Sequence, residues 1–455
     1  MKVSKFGGTS VASAIQIKKV AAIVKADPSR KFIVVSAPGK RYDTDKKVTD
    51  LLIELAIAAI HKEEVEEKLF KVLDRYKEIA QGLELDDTIC NVIEEDLRSR
   101  INKDQSILEL FVDNIKASGE DNNAKLISAY FTSIGLDSQY INPRTAGLLV
   151  NDLPERAQAL PQAYDNLYAL NHLSGVVVFP GFFGFTPNGT LRTFDRGGSD
   201  ITGSILAAAV KADLYENFTD VDSVFCANPK VVNHPAEIEE ITYREMRELS
   251  YAGFSVFHDE ALMPVFKSGI PVCIKNTNNP SAPGTKIVAK RKNNKRPVTG
   301  ISADNGFSIL YVSKYLMNRE IGFGRKLLQI LEEEHISYEH TPSGLDDISV
   351  IVRSHQLDPE KEARIMSRVL NELKADDVHF RHHFSMIVIV GEGMNNSTGL
   401  AARAASAIAN TGANIEMINQ GSSEVSLSFG VQESSENKIL RALYNEFFSA
   451  VTVGY

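Results

Sequence analysis

An internal repeat in the last third of the chain constrains the fold more than any other feature. A shift of 77 residues carries Gly322 onto Gly399 and superposes, without a gap, the segment from Phe307 to Ser349 on a second copy. Each copy has the pattern strand, loop, helix, strand, turn, strand, helix, which predicts two ferredoxin-like βαββαβ repeats. The further identities in register are Phe307/Phe384, Ser308/Ser385, Met317/Met394, Asn318/Asn395, Glu339/Glu416, Gly344/Gly421 and Ser349/Ser426.

The part of the chain before the repeat alternates apolar strands with helical stretches. The continuous apolar run at 31–38 is typical of a parallel strand that is buried on both faces. Helical periodicity extends from about Thr49 to Asn114 and returns at 199–212 and 243–268. This order predicts an α/β domain with an open, mainly parallel sheet sandwiched by helices.

Changes of composition set the expected domain limits. The α/β domain is expected at 1–290, and a basic, polar linker at 291–300. The first repeat is expected at 301–380 and the second at 381–455, with a last strand that is able to complete the first repeat.

Composition excludes several classes of function. The net charge of −9 argues against nucleic acid as the main partner. No apolar run approaches the roughly 20 residues that a membrane span needs, and the opening does not read as a signal peptide. The three cysteines show no C-x-x-C spacing, so neither a disulfide framework nor a zinc site is expected. The sequence therefore predicts a cytoplasmic protein without membrane or nucleic-acid partners.

The opening segment KFGGTS is a candidate phosphate cradle. Lys5 ends the first predicted strand, Gly7 and Gly8 let backbone N–H groups approach an anion, and Thr9 and Ser10 add hydroxyl groups before a helix. The order of residues fits neither a Walker A loop nor G-x-G-x-x-G. Alone, a Gly-Gly turn after a strand is more often a plain tight turn.

A second segment, RGGSD, repeats this arrangement at residues 196–200. Arg196 precedes two glycines, and Ser199 and Asp200 then open an apolar helix. Two such turns suit a polyanion held between two halves of a sheet. The alternative interpretation is a pair of N-capped helices, and capping and binding can coexist at one turn.

These motifs resemble those of aspartate kinases. KFGGTSV, the Ser-Ala-Pro loop followed by Val-Thr-Asp, SGE at 118–120, GF at 181–182, RGGSD and TDV at 219–221 occur in that family's order. The repeat resembles the family's two regulatory ACT domains, so the resemblance covers essentially the whole chain. It implies a monofunctional kinase of the amino-acid-kinase fold that forms an acyl phosphate from L-aspartate and ATP with Mg²⁺, the first step towards lysine, threonine and methionine.

The resemblance also implies roles for individual residues. Lys5 would hold the transferring phosphate, and Asp200 would orient that lysine. Donors to the phosphates would come from Gly7, Gly8 and Ser36. The amino acid would contact Thr49, Glu120, Phe182, Arg196 and Ser199. No metal ligand from the protein is expected. For Glu120 and Thr49, an exposed helix-end acid and a helix cap are the alternative interpretations.

The nucleotide side departs from the family pattern. The corresponding positions are Thr219, Asp220, Phe225, Lys230, Ser255 and Val256. Phe225 stands where other members often have tyrosine, and Ser255 stands where they have a lysine. A serine does not replace a cation, so the contacts to the base are less defined than those to the amino acid.

The first ACT-like repeat is the expected effector site. The implied residues are Met317, Gly322, Phe323, Gly324, Ser337 and Glu339. The effector would lie between the strand–helix loop of this repeat and a facing strand from a partner chain, which implies a homodimer or larger. Lysine is the favoured effector, and threonine, alone or together with lysine, stays open. Two other functions also stay open. One is a kinase that acts on another carboxylate, a carbamate or a nucleoside monophosphate. The other is an amino-acid sensor whose kinase half has decayed, an alternative that Ser255 favours.

Overall fold

The structure is a computed structural model that describes residues 1–154, 156–195, 197–254, 261–291 and 296–449. Its internal contacts divide the chain into two compact units. The first, which we call the α/β unit, contains residues 1–224, 237–247 and 255–292. The repeat unit contains 225–236, 248–254 and 293–455. None of the helices in the described ranges is long and apolar enough to cross a membrane.

The elements up to residue 288 alternate between strands and helices, as the sequence predicts. They are β1 (Lys2–Phe6), α1 (Ala14–Ala26), β2 (Arg30–Val35), α2 (Val48–His61), α3 (Val65–Gly82), α4 (Asp87–Ile101), α5 (Leu108–Ser133), β3 (Ser138–Tyr140), α6 (Pro143–Ala146), α7 (Pro161–Tyr168), β4 (Val176–Pro180), β5 (Phe183–Phe185), β6 (Leu191–Thr193), α8 (Gly198–Val210), β7 (Leu214–Thr219), β8 (Val224–Phe225), β9 (Glu237–Ile238), β10 (Glu240–Thr242), α9 (Tyr243–Tyr251), α10 (Leu262–Ser268), β11 (Val272–Asn276) and β12 (Thr285–Val288).

The main sheet of the α/β unit has eight strands in the order β10-β12-β11-β7-β1-β2-β4-β3. Strand β1 lies between β2 and β7 and runs parallel to both. Strands β11 and β12 pair antiparallel, and the other described pairings of this sheet are parallel. The predicted open, mainly parallel sheet is therefore confirmed. Strands β1, β2 and β4 are buried from their second or third residue to their end, as expected for parallel strands in the interior of a sheet.

The predicted helical region after Thr49 is four helices, α2 to α5, and it extends beyond Asn114 to Ser133. Helix α5 is buried along most of its 26 residues. Its apolar side chains join those of α2 and α3 in one core under β1 and β2. Polar side chains of α5, including Glu120 and Asn123, are buried as well. A buried helix that carries polar groups is the usual sign of a site built in a core.

The repeat unit contains β13 (Gly300–Ser313), α11 (Phe323–Glu333), β14 (Tyr338–His340), β15 (Asp347–Arg353), α12 (Pro359–Leu373), β16 (Asp377–Val390), α13 (Leu400–Ala409), β17 (Met417–Gln420), β18 (Ser426–Gln432) and α14 (Glu436–Phe448). Strands β13 and β16 are displaced by the same 77 residues as the sequence repeat. Helices α11 and α13 follow the same offset at their first residues. The duplication is therefore confirmed, and in the described residues each copy has the order strand, helix, strand, strand, helix.

The two copies share one sheet rather than two separate ones. Its order is β14-β15-β13-β16-β18-β17. The equivalent strands β13 and β16 pair antiparallel, and Phe307 lies opposite its own repeat partner Phe384. This register places a local twofold axis between the two phenylalanines. The pair stays together because Phe307 and Phe384 are buried with Ile309, Ile351, Met386 and Met417 on one face of the sheet.

Candidate active site

The loops that follow β1, β2 and β7 meet at the carboxyl edge of the sheet, where ligands bind in open α/β folds. Lys5 pairs in register with Val34 on one side and with Asn217 on the other. The carbonyl of Gly8 accepts a hydrogen bond of 2.9 Å from the N–H of Gly39 in the loop after β2. The N–H of Gly7 donates to the carbonyl of Phe218 at 3.1 Å. The first glycine-rich turn is therefore fastened to both neighbouring strands.

Lys5 and Asp200 form a buried ion pair at this edge. The Lys5 Nζ atom lies 2.6 Å from Asp200 Oδ1, and each residue is only 8% exposed. Asp200 stands in the first turn of α8, where the helix dipole also favours a carboxylate. The structure thus joins the two glycine-rich segments, which are far apart in sequence, through their charged residues.

Asn217 completes this arrangement and is a residue that the sequence analysis missed. Its Nδ2 atom donates a hydrogen bond of 2.8 Å to Asp200 Oδ1, and the side chain is buried. One carboxylate oxygen therefore faces both the lysine and the amide. In the sequence, Asn217 can be recognised as a polar residue within the predicted buried strand DLYENFTDV. Only the register of β1 against β7 shows that it faces the same group as Lys5.

Glu120 lies near this pair on α5 and is buried as well. Burial raises the pKa of this carboxyl to about 7, against the opposing effects of the Ala37 backbone N–H and of the charges on Lys5 and Lys116. Its Oε2 atom is buried and has no hydrogen-bond partner among the described residues. A buried carboxylate oxygen without a partner is costly, and a cationic ligand group would satisfy it.

Two further contacts hold the β2 loop beside Glu120. The Nδ2 atom of Asn123 donates to the carbonyl of Ser36 at 2.7 Å. The N–H of Val48 donates to the carbonyl of Pro38 at 3.0 Å, which places the first turn of α2, and with it Thr49, against the same loop. Ser36 and Thr49 are thus brought to the edge of the sheet where Lys5 and Glu120 lie.

Phe182 has a strained backbone, with φ at 80°. Such a conformation is uncommon for a residue with a large side chain and is found mostly where function or tight packing requires it. Its N–H donates to Thr202 Oγ1 at 3.0 Å, and its carbonyl accepts from the N–H of Phe194 at 2.8 Å. A Cβ atom at Gly198 would lie 2.6 Å from the Phe182 ring, so the second glycine of RGGSD leaves room for this ring.

The remaining predicted residues are placed as follows. Ser199 is buried in the first turn of α8, beside Gly181. Thr219 ends β7, and its hydroxyl donates to Asp220 at 3.2 Å. Phe225 and Lys230 group with the repeat unit, where the N–H of Lys230 donates to Asn228 Oδ1 at 3.0 Å. Arg196, Ser255 and Val256 lie outside the described residues.

The predicted effector residues have different surroundings within one chain. Met317 and Phe323 pack in the core under α11 and α12, and Gly322 caps α11 with φ at 80°. Gly324 follows in the first turn of that helix. The N–H and hydroxyl of Ser337 both donate to Gln356 Oε1. Ser337 lines a cavity beside α11 together with Arg325 and Tyr338.

Glu339 belongs to a polar network on the other face of the same sheet. Its Oε1 atom accepts a hydrogen bond of 3.1 Å from Arg353, which also bonds to Asp304 and stacks over Phe307. Its Oε2 atom is buried without a partner in the described part of the chain. Glu416, the same position in the second copy, bonds to both Arg381 and Gln432. The two copies therefore differ at this glutamate.

Comparison with known families and proteins finds relatives of this chain. Residues 1–276 match the amino acid kinase family, and residues 387–447 match an ACT domain family. The chain is 56% identical to Aspartokinase 3 of Bacillus subtilis over 453 residues, which cover 100% of both proteins. It is 28% identical to Aspartokinase 1, chloroplastic, of Arabidopsis thaliana, over 98% of this chain and 80% of that protein.

Solved structures agree with the sequence relatives. The crystal structure of Clostridium acetobutylicum aspartate kinase superposes with a TM-score of 0.87 at 36% identity, covering 98% of this chain and 100% of that one. E. coli aspartokinase III, solved with aspartate and ADP, superposes with a TM-score of 0.80 at 24% identity, covering 98% and 100%. The second protein shares the fold.

The buried carboxyl group of Glu120 predicts a pH-dependent stability. Because the pKa of Glu120 is raised from 4.5 to about 7, the folded protein binds more protons than the unfolded chain between these values, and stability falls as pH rises through that window. Glu120→Gln should therefore increase the free energy of unfolding of the ligand-free protein at pH 8 by up to about 3 kcal/mol. The gain should shrink towards pH 5.

Urea unfolding of the wild type and the variant at pH 5, 6, 7 and 8 measures this difference. Glu63→Gln is the matched control, because Glu63 is exposed on the surface of the same unit. If the Glu120→Gln variant is less stable than the wild type at pH 8, burial of the Glu120 carboxylate does not lower the free energy of unfolding.

Proposed function

This chain belongs to the aspartokinase family, whose members are kinases that phosphorylate a carboxylate, and from that premise we propose how its residues perform the reaction and how it is regulated. The reaction is transfer of the γ-phosphoryl group of ATP to the β-carboxylate of L-aspartate, which gives ADP and 4-phospho-L-aspartate. The observation that carries the assignment of roles is the buried Lys5–Asp200 pair beside Glu120 at the carboxyl edge of the sheet.

This phosphoryl transfer requires positioning of the reactants and neutralisation of charge, and it does not require a general base. A free β-carboxylate has a pKa of about 4 and is already ionised at neutral pH. Phosphoryl transfer then depends on alignment and on offsetting the charge that spreads over the transferring group. Lys5 is the cation for this task, and Asp200 fixes the direction of its ammonium. Asn217 donates a hydrogen bond to the same Oδ1 atom of Asp200 that faces Lys5 and so keeps that carboxylate in one orientation.

The amino acid substrate carries one ammonium and two carboxylates. We assign the ammonium to Glu120, because its buried Oε2 atom lacks a partner in the described residues. Arg196 would take a carboxylate through a two-point contact. Thr49 and Ser199 would add hydroxyl donors, and the strained Phe182 would form a wall.

ATP would bind with its phosphates towards the first glycine-rich turn. Gly7, Gly8 and Ser36 lie at that turn and in the neighbouring loop. Thr219 and Asp220 end the adjacent strand β7. Phe225, Lys230, Ser255 and Val256 are the remaining nucleotide candidates. We propose that Mg²⁺ enters on the phosphates of ATP, where it would bridge oxygens and offset their charge.

We propose that the enzyme is inhibited by lysine through the first ACT-like repeat. Glu339 has a buried oxygen without a described partner, whereas both oxygens of Glu416 in the second copy are bonded. Only the first copy therefore keeps a carboxylate oxygen for a side-chain ammonium. Residues from Met317 to Gly324 and Ser337 would surround the effector together with a partner chain, which makes the working form a homodimer or larger. Threonine stays a possible second effector.

The test of the reaction is a hydroxylamine-trapped assay with ATP and Mg²⁺. We expect hydroxamate from L-aspartate and none from L-glutamate or without an amino acid. Lys5→Ala should abolish turnover while leaving aspartate binding largely intact, since the ammonium stabilises the transferring phosphate and not the amino acid. Product from another carboxylate, or none from folded wild-type protein, would contradict the assignment, and near-normal turnover by Lys5→Ala would remove the role of that lysine.

Asn217→Leu should lower kcat by about tenfold or more, because loss of a hydrogen bond to a charged group costs about 1.5–3 kcal/mol. The aspartate KM should change much less, since Asn217 acts through Asp200. Steady-state kinetics in both substrates measures the two effects separately. Ser4→Ala is the matched control, because Ser4 is buried on β1 and donates to Glu216 away from the site. Equal loss of kcat in both variants would reduce Asn217 to a structural residue.

Glu339→Gln should raise the lysine concentration for half-inhibition at least tenfold, because an amide replaces the carboxylate that pairs with the ammonium. Glu416→Gln is the control in the second copy and should leave lysine inhibition unchanged. Inhibition curves at fixed aspartate measure both. The site would have to be sought elsewhere if the two variants respond alike or if lysine does not inhibit the wild type.

A further inference from the structure

A cavity lies in the α/β unit, lined by side chains other than those assigned to the substrate and the nucleotide. Its volume is about 680 Å³, within the usual range for small-molecule sites. It is enclosed by the end of α4, the start of α5, the α6 segment and the β5–β6 hairpin. All of its lining residues belong to the described part of the chain.

The floor of this cavity is apolar and firmly built. Phe111 and Phe183 are almost completely buried, so their rings cannot move without disturbing the core. Leu110, Phe185 and Leu191 line the same floor nearer the opening. An apolar surface of this size suits the hydrocarbon body of a ligand rather than water alone.

A buried amide marks the polar end of the cavity. Asn114 Oδ1 accepts hydrogen bonds from Arg100 at 3.3 Å and from Lys103 at 3.1 Å. The two cations fix the orientation of the amide, so its Nδ2 atom is turned away from them. This Nδ2 atom is buried and has no hydrogen-bond acceptor within the described ranges, although Asn114 is only 7% exposed. A ligand acceptor would satisfy it.

Two cations at the rim, Lys103 and Arg144, form no ion pair with a carboxylate in the described part of the chain. A third cation, Arg100, is already paired with Asp96 at 2.8 Å and with Asp121 at 2.7 Å. Among the described residues, Lys103 bonds to the Asn114 amide. Partial desolvation and the charge of Arg100 lower the pKa of Lys103, and the charge of Asp96 opposes this.

Arg144 is held in place without a carboxylate. Its guanidinium stacks over Phe185 at 4.8 Å and donates to the carbonyl of Gly189 at 2.5 Å. The remaining acid of the lining, Asp104, directs both carboxylate oxygens to Ser106 within its own turn. The rim therefore presents hydrogen-bond donors and positive charge.

We propose that this cavity binds a small organic anion, with its carboxylate or phosphate between Lys103, Arg144 and the Asn114 amide and its apolar body against Phe185 and Leu110. The hairpin that closes the cavity begins next to Phe182, and α5 carries both Asn114 and Glu120. The ligand would thus contact the two elements that also support the amino-acid site, without touching that site.

The test is a ligand-observed NMR titration of the full chain with phenylacetate, phenyl phosphate and the neutral isostere phenylacetamide. L-aspartate and ADP are present at saturation, so that an anion cannot bind in the active site. We expect at least one anion to bind with a dissociation constant in the millimolar range, about tenfold or more tighter than the amide. Binding of phenylacetate alone indicates a carboxylate ligand, and binding of phenyl phosphate alone indicates a phosphate ligand.

Lys103→Gln and Arg144→Gln should each weaken binding of that anion about tenfold, because each removes one charge-assisted contact. Lys77→Gln, at an exposed lysine on α3, should leave it unchanged. Kinase activity equal to wild type shows that the variants are folded. The proposal is overturned if neither anion binds, if the anions bind no better than phenylacetamide, or if both rim variants bind like the wild type.

Discussion

The buried ion pair between Lys5 and Asp200 is the interaction on which the arrangement of the α/β unit depends. Removing both charges from water is expensive, and breaking such a pair by removing one partner leaves the other charge uncompensated. The pair is favourable only if β1, β7 and α8 hold a fixed register, which places Lys5, Asn217 and Asp200 within hydrogen-bond distance. The same register of β1, β7 and α8 therefore determines both the fold of this unit and the geometry of the candidate site.

At the same edge of the sheet, Glu120 is buried without a complete set of partners in the described residues. One of its carboxylate oxygens is buried without a partner among the described residues, and its pKa is raised to about 7 because burial disfavours the charged form. A protein selected for stability alone would not keep this group. On the assignment proposed above, the ammonium of the substrate would supply the missing partner, so the cost of burial in the free chain would be offset on binding.

Much of this architecture can be predicted from sequence, because it rests on periodicity and on local turn chemistry. The apolar strands, the helical region after Thr49 and the 77-residue repeat are of that kind. Asn217 could not be predicted, since its role depends on which strand lies beside β1. The continuous six-stranded sheet was also beyond reach, because a repeat predicts two similar units but not that Phe307 faces Phe384. The strained φ of Phe182 follows from packing against Gly198, which no local pattern indicates.

The local twofold of the repeat unit makes the difference between its copies informative. Symmetry alone would give Glu339 and Glu416 equivalent partners, because they occupy the same place in each copy. Their surroundings differ because Arg353 in the first copy corresponds to Gly430 in the second, where Arg381 and Gln432 supply the bonds instead. In the second copy each oxygen of Glu416 accepts a hydrogen bond, whereas in the first copy one oxygen of Glu339 is buried without a partner among the described residues. The proposal that a single copy binds the effector rests on this unequal environment of one carboxylate within an otherwise symmetric sheet.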